Sequence, residues 1–334
     1  MFSQKTKLHR KEKDRKSGDL KTLVIDVTTK CNMSCPHCYA STFKNTEPIE
    51  LSDLLSTLQY AHELGVSHYV LMGGEPILDR ERVESILKNC HPEESFITVT
   101  TNGWDMTLAT IQWLKDLQVD KISISLDSGL ESGHDSNRRK GSYKRVLEAV
   151  DNITNEGLIV ALDVVVTHQS LYSEGFKKVY DYAINKKIRI DLQIAEPVGN
   201  WDGRKDILMT KADVEYIRKL RDESPLTLQG QKSIKRDVFC DPVDHCPAGT
   251  DFMHITANGN ILPCNFLQFS LGNIKDTNLK IARDALLTNP IFGSTTNPLC
   301  LCGEDHSFID KYIMPYVGIT KPLDAYSIFN LPKE

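Results

Sequence analysis

The chain has 334 residues, 40% of them hydrophobic and 25% charged, with nine Cys and a formal net charge of −5. That balance suits a soluble globular body, either one α/β barrel or roughly two domains of about 150 residues, and excludes collagen-like, coiled-coil and wholly disordered classes. No run approaches the roughly 18 consecutive apolar residues of a membrane span, and the N-terminus lacks the apolar core of a secretory signal. The expected location is therefore cytoplasmic, where nine Cys point to metal or catalytic use rather than a disulfide scaffold. Residues 1–21 hold eight Lys or Arg against three Asp or Glu, a net of +5, which leaves −10 on residues 22–334. The basic stretch reads as a solvated tail, and the acidic body makes nucleic acid a poor partner.

From residue 22 onward, β-rich apolar runs alternate with amphipathic ones. Leu23-Val24-Ile25-Asp26-Val27 predicts a first strand. Leu51, Leu54, Leu55, Leu58, Ala61 and Leu64, at three- and four-residue steps, predict a helix. Further strands are expected at 69–72, 96–100, 121–126, 159–166 and 188–194, and further helices at 80–89, 108–117, 143–156, 176–185 and 210–221. Strands alternating with helices predict a parallel sheet, and continuous apolar strands suit one covered on both faces. The unusual residues all follow strands: a Cys cluster the first, Gly73-Gly74-Glu75-Pro76 the second, Thr101-Asn102-Gly103 the third, Asp127 the fourth. Barrels build active sites at that end, and contributions from consecutive strands favour a barrel over an open sheet with one switch point. The expected fold class is α/β: a partial (β/α)6 TIM-like barrel over 22–230, a small Cys-rich domain over 235–310 and a C-terminal tail over 311–334.

Cys31, Cys35 and Cys38 form C-x3-C-x2-C. Three thiolates on one loop can grip three corners of a cubane iron–sulfur cluster and leave the fourth iron open to a small molecule. Structural zinc or three unrelated thiols are the alternatives; His37 adjoins Cys38 too closely to be an obvious fourth zinc ligand. A second group, Cys240, Cys246, Cys264, Cys300 and Cys302, lies in the last hundred residues. Residues 255–263 read as two short strands around Asn258-Gly259, a hairpin that brings Cys246 and Cys264 together. Four or five thiolates there can hold a second cluster, or a zinc ion. Cys90, after a predicted helix, reads as an ordinary buried thiol.

Over residues 22–195 these motifs, in this order, resemble those of the radical S-adenosylmethionine (SAM) enzymes. Cys31, Cys35 and Cys38 match the superfamily's C-x3-C-x-Φ-C loop, with His37 at the commonly aromatic position. Gly73-Gly74-Glu75-Pro76 matches its G-G-E-P turn, Thr101-Asn102-Gly103 its T-N-G and Ser125-Leu126-Asp127 its S-x-D. His134-Asp135, Arg138 and Gly141-Ser142-Tyr143 are similar to the H-D-x-x-R and G-S-F that follow. The resemblance implies a [4Fe–4S] cluster on Cys31, Cys35 and Cys38, with SAM chelating its open iron. It further implies one-electron cleavage of SAM to a 5′-deoxyadenosyl radical and hydrogen abstraction from a substrate. It puts the Gly73-Gly74 backbone at the amino group of SAM with Glu75 nearby, Asn102 and Ser125 at ribose or methionine groups, and Arg138 at the carboxylate. His37 and Asp127 complete the implied cofactor-binding set. Simpler readings make Asn102-Gly103 a turn, Asp127 a cap, and Arg138 with Arg139 and Lys140 a solvated basic run.

The C-terminal part resembles the SPASM or Twitch extension of these enzymes. Cys246-x12-Gly259-x4-Cys264, followed by Gly272-Asn273-Ile274, fits it, whereas the further C-x2-C-x5-C-x3-C run of full SPASM domains is absent. One auxiliary [4Fe–4S] cluster is implied, with ligands among Cys246, Cys264, Cys300 and Cys302 and with Cys240 as a substitute. Three activities remain open: tailoring of a small molecule, maturation of a ribosomal precursor peptide, and a non-catalytic iron–sulfur role. Many peptide maturases carry an N-terminal recognition domain, for which the 22 residues before the first strand leave no room; a separate protein would supply it. Cys240, if not a ligand, is a candidate hydrogen donor. Glu196 and Trp201, after the sixth strand, are candidate substrate contacts. A low-potential donor, ferredoxin or flavodoxin, is the implied protein partner; no membrane or nucleic-acid partner is expected.

Overall fold

The computed structural model describes residues 20–43, 46–224, 246–293 and 299–333. Six strands form where the apolar runs predict them: β1 (Thr22–Asp26), β2 (His68–Met72), β3 (Phe96–Thr101), β4 (Lys121–Ser125), β5 (Ile159–Val166) and β6 (Arg189–Ile194). Each pairs in parallel with the next in sequence. The crossovers carry α1 (Leu51–Glu63), α2 (Arg80–Asn89), α3 (Leu108–Asp116), α4 (Glu131–Asn137), α5 (Ser142–Asn155) and α6 (Glu174–Lys186); α7 (Lys211–Glu223) follows β6. Side-chain oxygens start several of them: Asp79 accepts from Arg82 N, Thr107 from Thr110 N, and Ser173 from Phe176 N. The periodicity does not predict α4, whose Ser, Gly, Asp and Asn are weak helix formers. It is anchored instead by buried His134, whose Nδ1 accepts from Asp127 N at 3.2 Å.

Residues from all six strands line one cavity of about 290 Å³, which requires a sheet curled round on itself. Outward side chains such as Ile122, Ile124, Leu162 and Ile190 join the apolar core under the helices. Inward positions on β4 to β6 include the polar residues Lys121, Ser123, Ser125, Asp163, Asp191 and Gln193, with apolar Val165 among them. These strands are therefore not uniformly apolar: helices cover one face, and the cavity with its polar and charged side chains lies on the other.

The C-terminal region extends this sheet. β7 (Phe252–Ile255) and β8 (Ile261–Leu262) form the antiparallel hairpin expected around Asn258-Gly259. β7 also pairs in parallel with β1, from Thr22 with Phe252 to Ile25 with Ile255, so the strand order runs β6-β5-β4-β3-β2-β1-β7-β8. The Cys-rich region thus shares the barrel's sheet. The expected junction at 230–235 lies outside the described residues, as do Cys240 and the first nineteen residues. The stretch 311–334 is expected to be a tail, but its described part, 311–333, folds onto the body. β9 (Phe269–Ser270) and β10 (Leu323–Asp324) pair in parallel, and buried Phe329 packs on Phe269, Phe292 and Tyr312 with ring centroids 4.9–5.1 Å away. Among the described residues, no helix is long and apolar enough to cross a membrane.

Candidate active site

Cys31, Cys35 and Cys38 sit on the loop after β1 and all line the cavity. Three turns hold that loop. The first is Gly73-Gly74, where Gly74 N donates to Thr28 O and Glu75 N to Lys30 O, both at 2.8 Å. Gly73 has φ +121°, and a Cβ on Gly74 would lie 2.1 Å from Lys30 O. The glycines are thus required for the turn to seat against the Cys loop, before any ligand is considered. The second turn follows β3. Asn102 Nδ2 donates to Asn32 Oδ1 at 2.8 Å and lies 4.0 Å from Cys31 Sγ, while its Oδ1 accepts from Trp104 N. The third follows β6, where Asn200 donates from N to Cys38 O at 3.1 Å and from Nδ2 to Cys35 O at 2.7 Å. A Cβ on Gly199 would lie 2.2 Å from Cys38 O. The sequence reading misses Gly199 and Asn200 as holders of the loop; their only signal is the Pro-Val-Gly-Asn break directly after a strand.

Glu75, next to the Gly73-Gly74 turn, is buried and faces β3: Oε1 accepts from Thr101 Oγ1 at 2.7 Å and Oε2 from Asn102 N at 2.8 Å. Burial pushes its carboxyl up to about 7, against these hydrogen bonds. Glu75 therefore ties the second turn to the first, while Gly73, Gly74, Asn102 and Ser125 face the cavity as expected. Arg138 also lines the cavity, but its Nε and Nη2 are both spent on Asp127 at 2.7 Å in a fork-to-carboxylate pair. Burial alone would raise the Asp127 carboxyl; the Arg138 guanidinium overrides it and holds it well below the usual range. Asp127 thus acts through Arg138. His37 lies 3.9 Å from Asp127 and 5.6 Å, ring to ring, from Trp201. Burial lowers the His37 imidazole to about 4 despite Asp127, so it is neutral at pH 7.

The lumen carries a second charged layer that the motifs do not announce. Lys121 Nζ lies 2.9 Å from Asp191 Oδ2, Arg189 Nε 2.7 Å from Asp191 Oδ1, and Ser123 Oγ donates to Asp191 at 3.1 Å. Asp163 stands between, in register with Ser125 on one side and Asp191 on the other. Its Oδ1 has no hydrogen-bond partner among the described residues. Burial, then the Asp191 charge, pushes its carboxyl up to about 7. Buried Glu196 and partly buried Trp201 also line the cavity. The sequence signal for this layer was the alternation Lys-Ile-Ser-Ile-Ser in β4 and the single Asp in each of β5 and β6.

Cys246, Cys264 and Cys300 line the same cavity, and Cys264 Sγ accepts from Leu267 N at 3.3 Å. Cys302, expected with them, is not among the cavity residues; its Sγ donates to Phe266 O at 3.3 Å. Tyr39 joins the two Cys regions: its Oη donates to Asp26 Oδ1 at 2.8 Å, and its carbonyl accepts from Gln268 Nε2 at 2.9 Å. His254 Nε2 of β7 lies 3.0 Å from Asp26 Oδ2. Cys90 is fully buried as expected, and burial raises its thiol. Both cavity-facing thiol sets have the donor chemistry of iron–sulfur ligands, soft thiolates on loops with an N–H donor onto one sulfur, although among the described residues no three of them stand as a ready-made metal-binding group.

Residues 25–183 match the radical SAM superfamily, and residues 246–303 match SPASM, an iron–sulfur cluster-binding domain. The chain belongs to the radical SAM superfamily and carries a C-terminal SPASM domain; its cofactors are SAM, a [4Fe–4S] cluster and auxiliary iron–sulfur. Among relatives, the GTP 3′,8-cyclase of Helicobacter pylori is 28% identical over 260 residues, covering 73% of this chain and 80% of that one. The AdoMet-dependent heme synthase of Nitratidesulfovibrio vulgaris is 22% identical over 288 residues, 78% of each chain. Among solved structures, Streptococcus suis SuiB bound to the precursor peptide SuiA matches with a TM-score of 0.64 at 21% identity, over 86% of this chain and 69% of that one. The structure of anSMEcpe with bound AdoMet gives 0.60 at 18% identity, over 78% and 79%. These structural likenesses confirm the fold.

Proposed function

We propose that this protein is a tailoring enzyme that abstracts hydrogen from a small polar biosynthetic intermediate rich in hydroxyl or amine groups. The observation that carries this reading is the charged lumen, with Asp163, Asp191, Lys121 and Glu196 lining a cavity of about 290 Å³ that also holds both thiol sets. Bound SAM and the reduced cluster supply a 5′-deoxyadenosyl radical. The protein's own part is to bind and orient. Gly73 and Gly74 leave backbone accessible to an amino group, and Arg138, fixed by Asp127, presents positive charge to a carboxylate. Asp163 can accept a hydrogen bond from a substrate hydroxyl or ammonium, or hold a proton near neutral pH. The auxiliary centre suits dehydrogenation, because it can take the second electron. The name of the GTP 3′,8-cyclase, a small-molecule activity, agrees with this class. A peptide substrate is the second reading, supported by the likeness to SuiB with its precursor peptide. Cys240 remains a candidate hydrogen donor, and a low-potential carrier protein the reductant.

The first test is iron and labile sulfide after anaerobic reconstitution, with dithionite-driven release of 5′-deoxyadenosine. About eight irons in wild type and about four in Cys31→Ala/Cys35→Ala/Cys38→Ala, with cleavage lost, is the expected result. Substrate class is then read from deuterium appearing in 5′-deoxyadenosine when the enzyme meets extracts of deuterated cells. Label from the metabolite fraction supports the proposal. Label from the peptide fraction alone overturns it.

A further inference from the structure

We propose that the basic face around Trp104 docks an acidic, flavodoxin-type electron carrier, which reduces the cluster on Cys31, Cys35 and Cys38. The inference rests on membership of the radical SAM superfamily and adds to it where the electron enters. Residues 138–145 contain five Lys or Arg and no Asp or Glu. Arg138 is used internally by Asp127, while Arg139, Lys140, Lys144 and Arg145 are exposed. They are not simply a solvated run. The Arg139 guanidinium lies 3.8 Å from the Trp104 ring centroid and that of Arg145 4.1 Å, and Arg145 Nη1 donates to Trp104 O at 3.0 Å. An indole carrying two guanidiniums presents its charge in a fixed geometry, which lowers the ordering cost of docking.

The face connects inward to the cluster loop. Trp104 N donates to Asn102 Oδ1 at 2.9 Å, and Asn102 Nδ2 lies 4.0 Å from Cys31 Sγ. Asn32, next to Cys31, donates from Nδ2 to Asp105 Oδ2 at 3.1 Å. Two contacts through one residue, Asn102, thus link the Trp104 backbone to a cluster thiolate. On the same loop as Lys30, the side chains of Ser34 and Pro36 are exposed, so the loop itself reaches the surface.

Charge selects the partner. The whole chain carries −5 and would repel an acidic carrier, so a local positive face is what steers one to a productive orientation. Glu131 pairs with Lys144 at 3.1 Å, which leaves Arg139, Lys140 and Arg145 as the basic edge; Asp135, on Gly141 N and Tyr143 N, and Asp105, on Asn32 Nδ2, stay anionic behind it. Trp104 is partly buried under the two guanidiniums, and Leu108, four residues on, is 46% exposed. That combination suits the exposed apolar edge of a flavin ringed by carboxylates. The carrier loses one electron and the cluster gains one; no proton or group is transferred to this chain.

The test compares two reductants on the reconstituted holoenzyme, reading 5′-deoxyadenosine formation. Flavodoxin with its NADPH-dependent reductase is the protein donor, and dithionite is the small one. Arg139→Glu/Arg145→Glu should cut the flavodoxin-driven rate about tenfold or more and remove its decline with salt. Its iron content and dithionite-driven rate should stay within about twofold of wild type, as should both rates in the control Lys219→Glu/Lys177→Glu. Arg139→Gln and Lys140→Glu, milder changes, should show the same selective loss to a smaller degree. Equal flavodoxin-driven rates in patch and control variants would overturn the proposal. So would a loss shared by dithionite with iron intact, or a loss seen with ferredoxin but not with flavodoxin. Wild type that fails to cleave SAM with dithionite would instead overturn the enzymatic reading, a distinct result.

Discussion

The two Cys regions reach one cavity by opposite routes. Cys31, Cys35 and Cys38 sit within eight residues, and their spacing is written in the chain. Cys246, Cys264 and Cys300 come from three separated segments and line the same cavity, beside a hairpin that β7 joins to β1. Yet the compact loop is not self-supporting. It is clamped by hydrogen bonds from the turns after β2, β3 and β6, whereas two of the dispersed thiols, Cys246 and Cys264, lie on loops flanking the β7–β8 hairpin. A motif that is local in sequence can therefore depend on more distant neighbours than one that looks scattered.

The strongest way to break this comparison is Gly74→Ala. The added methyl would sit 2.1 Å from Lys30 O, backbone against backbone, with no flexible side chain to give way. We expect the cluster loop to be displaced, SAM cleavage to be lost and reconstituted iron to fall by about half, leaving the auxiliary share. The matched control is Gly141→Ala, at φ +86° with nothing within 4 Å of the new Cβ. It should cost about 1 kcal/mol of stability and no iron. Full iron and activity in Gly74→Ala would mean that this turn does not hold the loop.

Strands β1 to β6, and the helices that follow them other than α4, were legible because each repeats a period over several residues. Alternation placed β1 to β6 within a residue or two, and the turns after β1 to β4 carried recognisable motifs. What escaped depends on contacts that no local pattern encodes. The β7–β1 pairing joins positions 230 residues apart, from Thr22 to Phe252. Asn200 reads as loop punctuation until its amide is found on Cys35 O. Glu75 stands in the right motif, but its carboxylate faces Thr101 and Asn102 rather than the cavity, a direction only the fold sets. Tail residues 323–329 look unremarkable singly; they are fixed by the aromatic cluster around Phe329.

A smaller effect separates the cavity's charged layer from the paired charge beside the thiols. Asp127 has a cation on both oxygens, whereas Asp163 keeps a carboxyl raised to about 7. Between the ordinary carboxylate range near pH 4 and about pH 7, the unfolded chain has lost this proton and the folded chain keeps it. The folded state binds more protons there, so stability falls as pH rises through that window and levels off above it. Asp163→Asn cannot ionise and should lack this slope. Its melting temperature relative to wild type should rise between pH 4 and 7, measured anaerobically on holoenzyme without SAM. A difference that shrinks over that range would place Asp163 in an ion pair and remove it as a proton-holding group.

The smallest expected effect sharpens the dispersed set. Cys300 and Cys302 are one residue apart, and a chain that places one thiol in the cavity turns its neighbour-but-one elsewhere when the backbone folds tightly. Cys300 N donates to Glu304 Oε2 at 2.8 Å, and Gly303, Glu304 and Asp305 all donate back to Cys300 O, so the segment is a tight turn. Cys300 lines the cavity; Cys302, 1% exposed, gives its S–H to Phe266 O. Cys300→Ala and Cys264→Ala should each lower the auxiliary iron. Cys302→Ala should retain it and lose only about 1 kcal/mol, the worth of one hydrogen bond and a small buried group. If Cys302→Ala instead loses the auxiliary iron while Cys300→Ala retains it, the two thiols exchange roles, and the turn at Glu304 orients the wrong one.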